Sequence, residues 1–399
     1  MDFEKAKHFN AGDIIGVKGE VFKTSSGEIS IKVKEHLMLA KALRTLPDKW
    51  HGLQDVEVRY RKRYLDLIMD PKVRETFVKR SRILSLIRRF LDLRGFMEFE
   101  TPTIQPLYGG GDAEPFTTKV NTLSEEQYLR IADELYLKRL IIGGFNKVYE
   151  ICKDFRNEDL DSTHSPEFTM IEWYQAYADY EDMMKLTEDM FEYIATELNG
   201  SQSIEYHGKQ LSFKAPFKRV SFIDSISGKV GKDVAKLGDD ELFKLAESKG
   251  IRFDKGKRYR AHAYSKLLEV LVQPELVQPT FVIDFPRETS PLTRPKRGNP
   301  ERVERFELYV DGMEINNAYS ELQNPAIQRE NFEEEAKKAQ AGDKEAEPLD
   351  ADFIEAMEYG MPPTGGLGMG VDRLIMLFTD SSSIKDVILF PMEKRVRRQ

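Results

Sequence analysis

The chain predicts an α+β fold in which one large antiparallel sheet is flanked by helices. Strand pairs are interleaved with helices of varied length, without the repeating βαβ period of a parallel sheet. ERFELYV and MEINNAYSEL flank Asp311-Gly312, a dipeptide that selects a tight hairpin turn. SPEFTMIEWY at 165–174 alternates, with Phe168, Met170, Glu172 and Tyr174 on one face and Thr169, Ile171 and Trp173 on the other, which is the period of a strand. No internal repeat is present.

Residues 12–39 read as a hairpin around Ser25-Ser26-Gly27. LPDKWHGLQD breaks its pattern and places a domain boundary near residue 60, giving regions 1–60 and 61–399. VRETFVKRSRILSLIRRFLDLRG predicts an amphipathic helix with Phe77, Ile83, Leu84, Ile87 and Leu91 on one stripe and Gly95 as its C-terminal cap. The strand FMEFET follows and ends at Pro102. Residues 128–175 predict a strand, the helix DELYLKRLIIGG and two strands; 181–198, 239–250 and much of 330–360 predict helices. PTFVIDFP is a short buried strand, and GGLGMG at 365–370 reads as a glycine-rich turn before the helix VDRLIMLF.

With 399 residues, 40% hydrophobic and 32% charged, the chain can bury a substantial core. No run of about 18 apolar residues predicts a membrane span, and the opening residues lack the apolar stretch of a signal peptide. The single Cys152 excludes an intramolecular disulfide and fits a reducing cytoplasm; packing is its expected role. A net charge of −8 argues against a uniformly basic nucleic-acid binder. Two basic clusters, Arg287–Arg305 and Lys394–Arg398, are either solvated faces or phosphate contacts.

Two arginines carry the strongest chemical signal. Arg156 ends the strand VYEICKDF, and Arg373 opens the helix after the glycines. A guanidinium makes paired hydrogen bonds to phosphate oxygens, and two such forks from different elements would hold a bent nucleoside triphosphate. Phe168 offers a ring for a base. A two-residue loop at Asp311-Gly312 places Glu307 opposite Asn316 and diagonal to Glu314. That pair is either two solvated glutamates or a hard-oxygen site for magnesium. Asn317, Tyr319 and Glu321 have the opposite parity to Glu314, so a common site requires a β-bulge near Asn316-Asn317. His164 lies in the loop after Arg156, as a phosphate donor or a turn stabiliser. Histidine spacing gives no zinc site, GGLGMG is no P-loop, and no nucleophile triad is present.

These residues resemble class II aminoacyl-tRNA synthetases, and within them the lysyl-tRNA synthetases, over nearly the whole chain. RGFMEFETPTI is similar to motif 1, KDFRNEDLDSTHSPEFTMIEWYQAYADY to motif 2 and GLGMGVDRLIMLFTD to motif 3. YLRIADELYLKRL, FVIDFPRETSPLTRP and MEINNAYSEL favour the lysine group over its aspartate and asparagine relatives. The resemblance implies a catalytic core on an antiparallel sheet, a partial β-barrel OB-fold before it, a homodimer through the motif 1 region, and magnesium-dependent activation of L-lysine by ATP for transfer to tRNA(Lys). By the same resemblance Arg156 holds the α-phosphate and the substrate carboxylate, and Arg373 the γ-phosphate. Glu158 and His164 contact ATP, Phe168 stacks on adenine, and Glu307 and Glu314 carry Mg2+. Glu134 takes the α-amine, Gly110 approaches through its backbone, and Asn317 helps hold the carboxylate. Glu172, Tyr174, Tyr319 and Glu321 complete the lysine pocket.

The sequence departs from the family in three places. Only the last hairpin of the OB-fold is read, so anticodon recognition is not expected. Glu114 stands where relatives carry a basic residue, and Asp159 where they carry glycine. A fragment of a longer protein, a truncated synthetase working through the acceptor end, and a paralogue that loads a protein such as elongation factor P all fit the short N-terminus. A non-catalytic regulator would have lost Arg156, Arg373 or the Glu307/Glu314 pair, and all four are present.

Overall fold

The computed structural model describes residues 7–47, 53, 55–158, 160–253, 257–340, 342–343 and 345–394. They divide into two compact units, one ending at Glu75 and the other running from Thr76 to Lys394.

In the first unit, β1 (Ile14–Lys23) and β2 (Ile29–Ala40) form an antiparallel hairpin with a register shift at Lys18/Gly19. Gly27 takes a positive φ of 89° in its turn, a conformation that costs glycine little. The hairpin is consistent with part of an OB-fold. Two short helices follow, Val56–Arg61 and Arg63–Met69. Asp55 caps the first by accepting from the amides of Glu57 and Val58.

The second unit is built on an eight-stranded sheet. Its strands are β3 (Met97–Glu98), β4 (Lys147–Phe155), β5 (Glu167–Ala176), β6 (Lys218–Ser221), β7 (Thr280–Ile283), β8 (Arg305–Val310), β9 (Met313–Ser320) and β10 (Thr364–Gly370), in the spatial order β6-β7-β8-β9-β10-β5-β4-β3. All pairings are antiparallel except β6 with β7 and β3 with β4 at the two edges. Helices α1 (Pro71–Asp92), α2 (Glu134–Ile142), α3 (Tyr180–Asn199) and α4 (Val371–Thr379) surround it. The main core joins Ile171 and Trp173 of β5, Phe306 and Leu308 of β8, and Leu367 and Met369 of β10 to Phe90 of α1, Met190 and Phe191 of α3 and Ile375 of α4.

Alternation on the sheet sends the complementary residues, Glu172, Tyr174, Glu307 and Tyr319, to the opposite face. Helices Phe222–Val230, Asp239–Ser248 and Arg260–Leu271 close a second apolar cluster against Val282 and Tyr309. Among the described residues no helix is long and apolar enough to cross a membrane.

Local signals explain the element ends. Gly95 has φ 78° after α1, and the Phe96 amide turns back to Leu91 O, a glycine helix stop. Asp179 and Asp182 form a reciprocal capping box on α3. Asp311 (φ 49°) and Gly312 (φ 74°) make the two-residue hairpin turn.

Three expectations need correction. The buried stripe of α1 is Ile83, Leu86, Ile87, Phe90 and Leu91, with Leu84 only partly buried, because the helix also meets the core through its i+3 positions. Glu307 pairs with Asn317, since Ile315 is skipped between the Tyr309–Glu314 and Leu308–Asn316 pairs. That skipped residue is the bulge, one position earlier than expected. It turns Glu314, Asn317, Tyr319 and Glu321 to the same side. The glycine run is a central strand, β10, held between β9 and β5. A Cβ on Gly366 would lie 2.1 Å from Glu321 Oε1 and 2.3 Å from Tyr174 Cε1, so only glycine fits between those side chains.

Candidate active site

A cavity of about 390 Å³ opens on the polar side of the sheet. Strands β5, β9 and β10 contribute to its wall, and its lining carries both arginines and carboxylates.

Arg156 and Arg373 both line this cavity. The Arg156 guanidinium lies over the Phe168 ring, 5.3 Å from its centroid, and its Nε donates to Ile131 O at 3.3 Å. Arg373 Nη1 donates to Glu314 O at 2.8 Å. Its Nη2 lies 3.0 Å from His164 Nε2. A guanidinium only donates, so Nε2 accepts and the imidazole proton sits on Nδ1, 2.9 Å from Asp161 Oδ2. The amides of Thr163 and His164 outweigh partial burial and hold Asp161 down at about 2. Glu158 lines the cavity as an exposed residue. Arg80 fixes the start of α4: its Nη1 meets Asp372 Oδ1 at 2.5 Å, its Nη2 meets Thr169 Oγ1 at 2.9 Å, and Asp372 Oδ2 accepts from the Thr169 amide at 2.6 Å.

Glu307 and Glu314 face the middle of the cavity. Glu307 accepts from Arg305 Nη2 at 2.5 Å and from the Tyr309 hydroxyl at 2.6 Å. Burial raises its carboxyl above the ordinary value, Arg305 opposes that shift, and the Glu314 charge adds to it. Arg305 also donates to Asn317 Oδ1 at 3.0 Å, while Asn317 Nδ2 donates to the Tyr319 hydroxyl at 2.7 Å.

Gly110, Glu134, Glu172 and Tyr174 also line the cavity. Gly110 has φ +87°, and a Cβ there would stand 2.9 Å from Glu134 Cβ. The Tyr174 hydroxyl donates to Glu172 Oε2 at 2.8 Å. Burial pushes Glu172 up to about 8, reinforced by Glu134 and Asp154. Glu321 is fully buried behind Gly366 and does not line the cavity. Burial likewise pushes it up to about 8 against the pull of Lys138. Fully buried Asp133 sits beside Glu172, and burial raises its carboxyl well above the ordinary value, reinforced by the Glu172 charge.

Some site residues were not read from the sequence. Lys138 pairs with both Glu134 and Glu321 at 2.5 Å; its i+4 spacing from Glu134 was the available signal. Arg305 shares strand parity with Glu307, which was also legible. Glu347 accepts from the Gly111 amide at 2.6 Å from an irregular segment that carries no periodic signal. Cys152 is buried away from the cavity, and its thiol faces Asp154 Oδ1 at 3.5 Å. The basic stretch is largely absorbed internally: Arg294 and Arg297 pair with Glu304, and Lys296 pairs with Asp284. The Glu114 carbonyl accepts from the Asn157 amide. Asp159 and Arg395–Arg398 lie outside the described residues.

The family model for tRNA synthetases class II (D, K and N) matches residues 55–394. The chain is 51% identical over 391 residues to the lysine–tRNA ligase of Clostridium novyi, covering 97% of this chain and 77% of the relative. It is 50% identical to that of Clostridium perfringens, covering 97% and 78%. It is 49% identical over 402 residues to that of Aquifex aeolicus, covering 99% and 67%. A cavity lined by arginines and carboxylates on an antiparallel sheet, together with a match across nearly the whole catalytic unit, settles the relationship: the chain belongs to the class II tRNA synthetases of the D, K and N group.

Proposed function

We propose that the protein activates L-lysine with ATP and transfers it to tRNA(Lys). The observation that carries this reading is a single cavity lined both by two arginines, Arg156 and Arg373, and by the acidic set Glu134 and Glu172 with Tyr174. A carboxylate oxygen of lysine attacks the α-phosphorus, the bond to the bridging oxygen breaks, and pyrophosphate leaves. This in-line exchange needs charge neutralisation and positioning, with no protein nucleophile. Arg156 takes the α-phosphate and substrate carboxylate, Arg373 with His164 the γ-phosphate, and Phe168 the adenine. Glu158 contacts ATP. Glu134 takes the α-ammonium, Glu172 and Tyr174 the ε-ammonium. Asn317 helps hold the substrate carboxylate, Tyr319 lies beside it in the lysine pocket, and Gly110 approaches the amino acid through its backbone. In the second step the terminal ribose hydroxyl of tRNA attacks the acyl carbon and AMP leaves.

The donor set fits magnesium. Glu307 and Glu314 are hard oxygen donors facing one cavity, and the Glu314 side chain is 40% exposed. Bound there, Mg2+ would neutralise phosphate charge. The region 94–104 is proposed as a dimer interface and the cytoplasm as the place of work, with the acceptor end of tRNA as the contact.

Pyrophosphate exchange measured with all twenty amino acids and β-lysine tests the reading. Lysine is expected to support exchange at least ~10²-fold better than norleucine, because a buried carboxylate left without its cation costs about 3–5 kcal/mol. No exchange from folded protein with lysine, ATP and Mg2+ removes the reading.

Lysine binding should also release protons. Glu172 and Glu321 have folded values near 8 against an ordinary 4.5, so the free protein holds more protons than the unfolded chain and loses stability as pH rises from 4.5 to about 8. An ammonium ligand pulls the Glu172 carboxyl down. Calorimetry at pH 7 in buffers of different ionisation enthalpy should show net release, and the lysine-induced rise in Tm should be larger at pH 8 than at pH 5. A buffer-independent heat contradicts this.

A further inference from the structure

We propose that Lys138 is a positioning residue that sets the length of the amino-acid pocket. This rests on the lysine reading of that pocket and assigns it a part outside the cavity wall. The Lys138 side chain is 2% exposed, and its ammonium lies 2.5 Å from both Glu134 Oε1 and Glu321 Oε2. Glu134 opens α2 and faces the cavity, while Glu321 follows β9 and stands directly behind Gly366. One buried cation therefore ties the helix that presents the α-ammonium acceptor to the strand end behind the side-chain acceptor. The Tyr174 ring lies 5.9 Å from the same ammonium, so the phenol that orients Glu172 packs against this tie.

Burial opposes the Lys138 charge, yet Glu134 and Glu321 together raise its pKa above the ordinary lysine value, so Lys138 itself remains charged throughout the working range. Neither Glu321 oxygen has an aligned hydrogen-bond donor among the described residues. The Glu321 carboxylate is therefore held by the Lys138 ammonium while its backbone amide donates to Thr364 O, and removing the ammonium leaves the carboxylate behind Gly366 without that partner. A pocket without the tie has no fixed distance between its two acceptors. Such a pocket loses its grip on lysine and its preference for lysine over the homologue one methylene shorter, a distinction worth only about 10–200-fold in the best of cases.

The test compares wild type, Lys138→Met and Lys138→Ala with lysine and ornithine, by pyrophosphate exchange and by calorimetric binding. For Lys138→Met the lysine KM and Kd should rise at least about tenfold, the ATP KM should stay within about twofold, and the lysine-to-ornithine preference should fall at least about fivefold. Propylammonium should restore the preference in Lys138→Ala, and propanol at the same concentration should not. Unchanged lysine Kd and preference in either folded variant overturns the proposal. So does an equal loss for both amino acids with the preference intact, which would mark a structural ion pair. Failure of both variants to fold, even with propylammonium, also overturns it. A wild type that binds lysine without exchange ends the proposed function and leaves the calorimetric comparison to judge Lys138. An exchanging wild type with an indifferent Lys138→Met ends this inference alone.

Discussion

Arg373→Ala is expected to slow lysine-dependent pyrophosphate exchange by about 10³–10⁵-fold, the range observed when an arginine that neutralises a transferring phosphoryl group is removed. Its guanidinium is aimed by Glu314 O, His164 Nε2 and Thr163 O. The fold should survive. Helix α4 is anchored through its neighbour Asp372 to Arg80 and the Thr169 amide and through Leu374, Ile375 and Leu377 in the core, while the Arg373 side chain is 21% exposed. Far-ultraviolet dichroism and a melting curve should overlay those of the parent within a few degrees. An unfolded variant would mean that Arg373 is scaffolding, and near-normal exchange would remove it from the nucleotide site.

Gly366→Ala is expected to have the largest effect in the amino-acid pocket. The added methyl would lie 2.1 Å from Glu321 Oε1 and 2.3 Å from Tyr174 Cε1, and both groups are buried with no room to retreat. Overpacking of this kind costs about 1–3 kcal/mol, a drop of several degrees in Tm. The displaced groups are the ones that shape the side-chain pocket, so the lysine KM should rise by about 10²-fold while the ATP KM changes little. Gly370→Ala is the matched control, since its methyl would meet nothing closer than 3.7 Å and should leave Tm within about a degree. Equal behaviour of the two variants would show that the strand yields and that the close approach at Gly366 has no consequence.

The face-by-face composition of the sheet was legible because period-two alternation is a strong constraint. Phe168, Glu172 and Tyr174 reach the cavity, and Ile171 and Trp173 reach the core, as the parity of SPEFTMIEWY requires. The need for a bulge was legible too, from the parity clash between Glu314 and Asn317. Its position was not, because an extra residue at Ile315 or at Asn316 restores the same parity. GGLGMG misled for a physical reason. Glycine has low strand propensity, and only the bulk of Tyr174 and Glu321 on the flanking segments makes a side-chain-free strand the stable choice. Lys138 and Arg305 escaped because each acts on another charged residue, and Glu347 because it reaches a backbone amide from an irregular segment. A sequence displays charges without displaying which of them neutralise one another.

The Arg80–Asp372 contact joins residues 292 positions apart. During synthesis the ribosome therefore makes Arg156, Phe168 and the acidic residues long before the nascent chain contains either Asp372 or Arg373. A nascent polypeptide that has not yet reached residue 372 lacks this pairing, so the link from Arg80 through Asp372 to the Thr169 amide closes only late in synthesis.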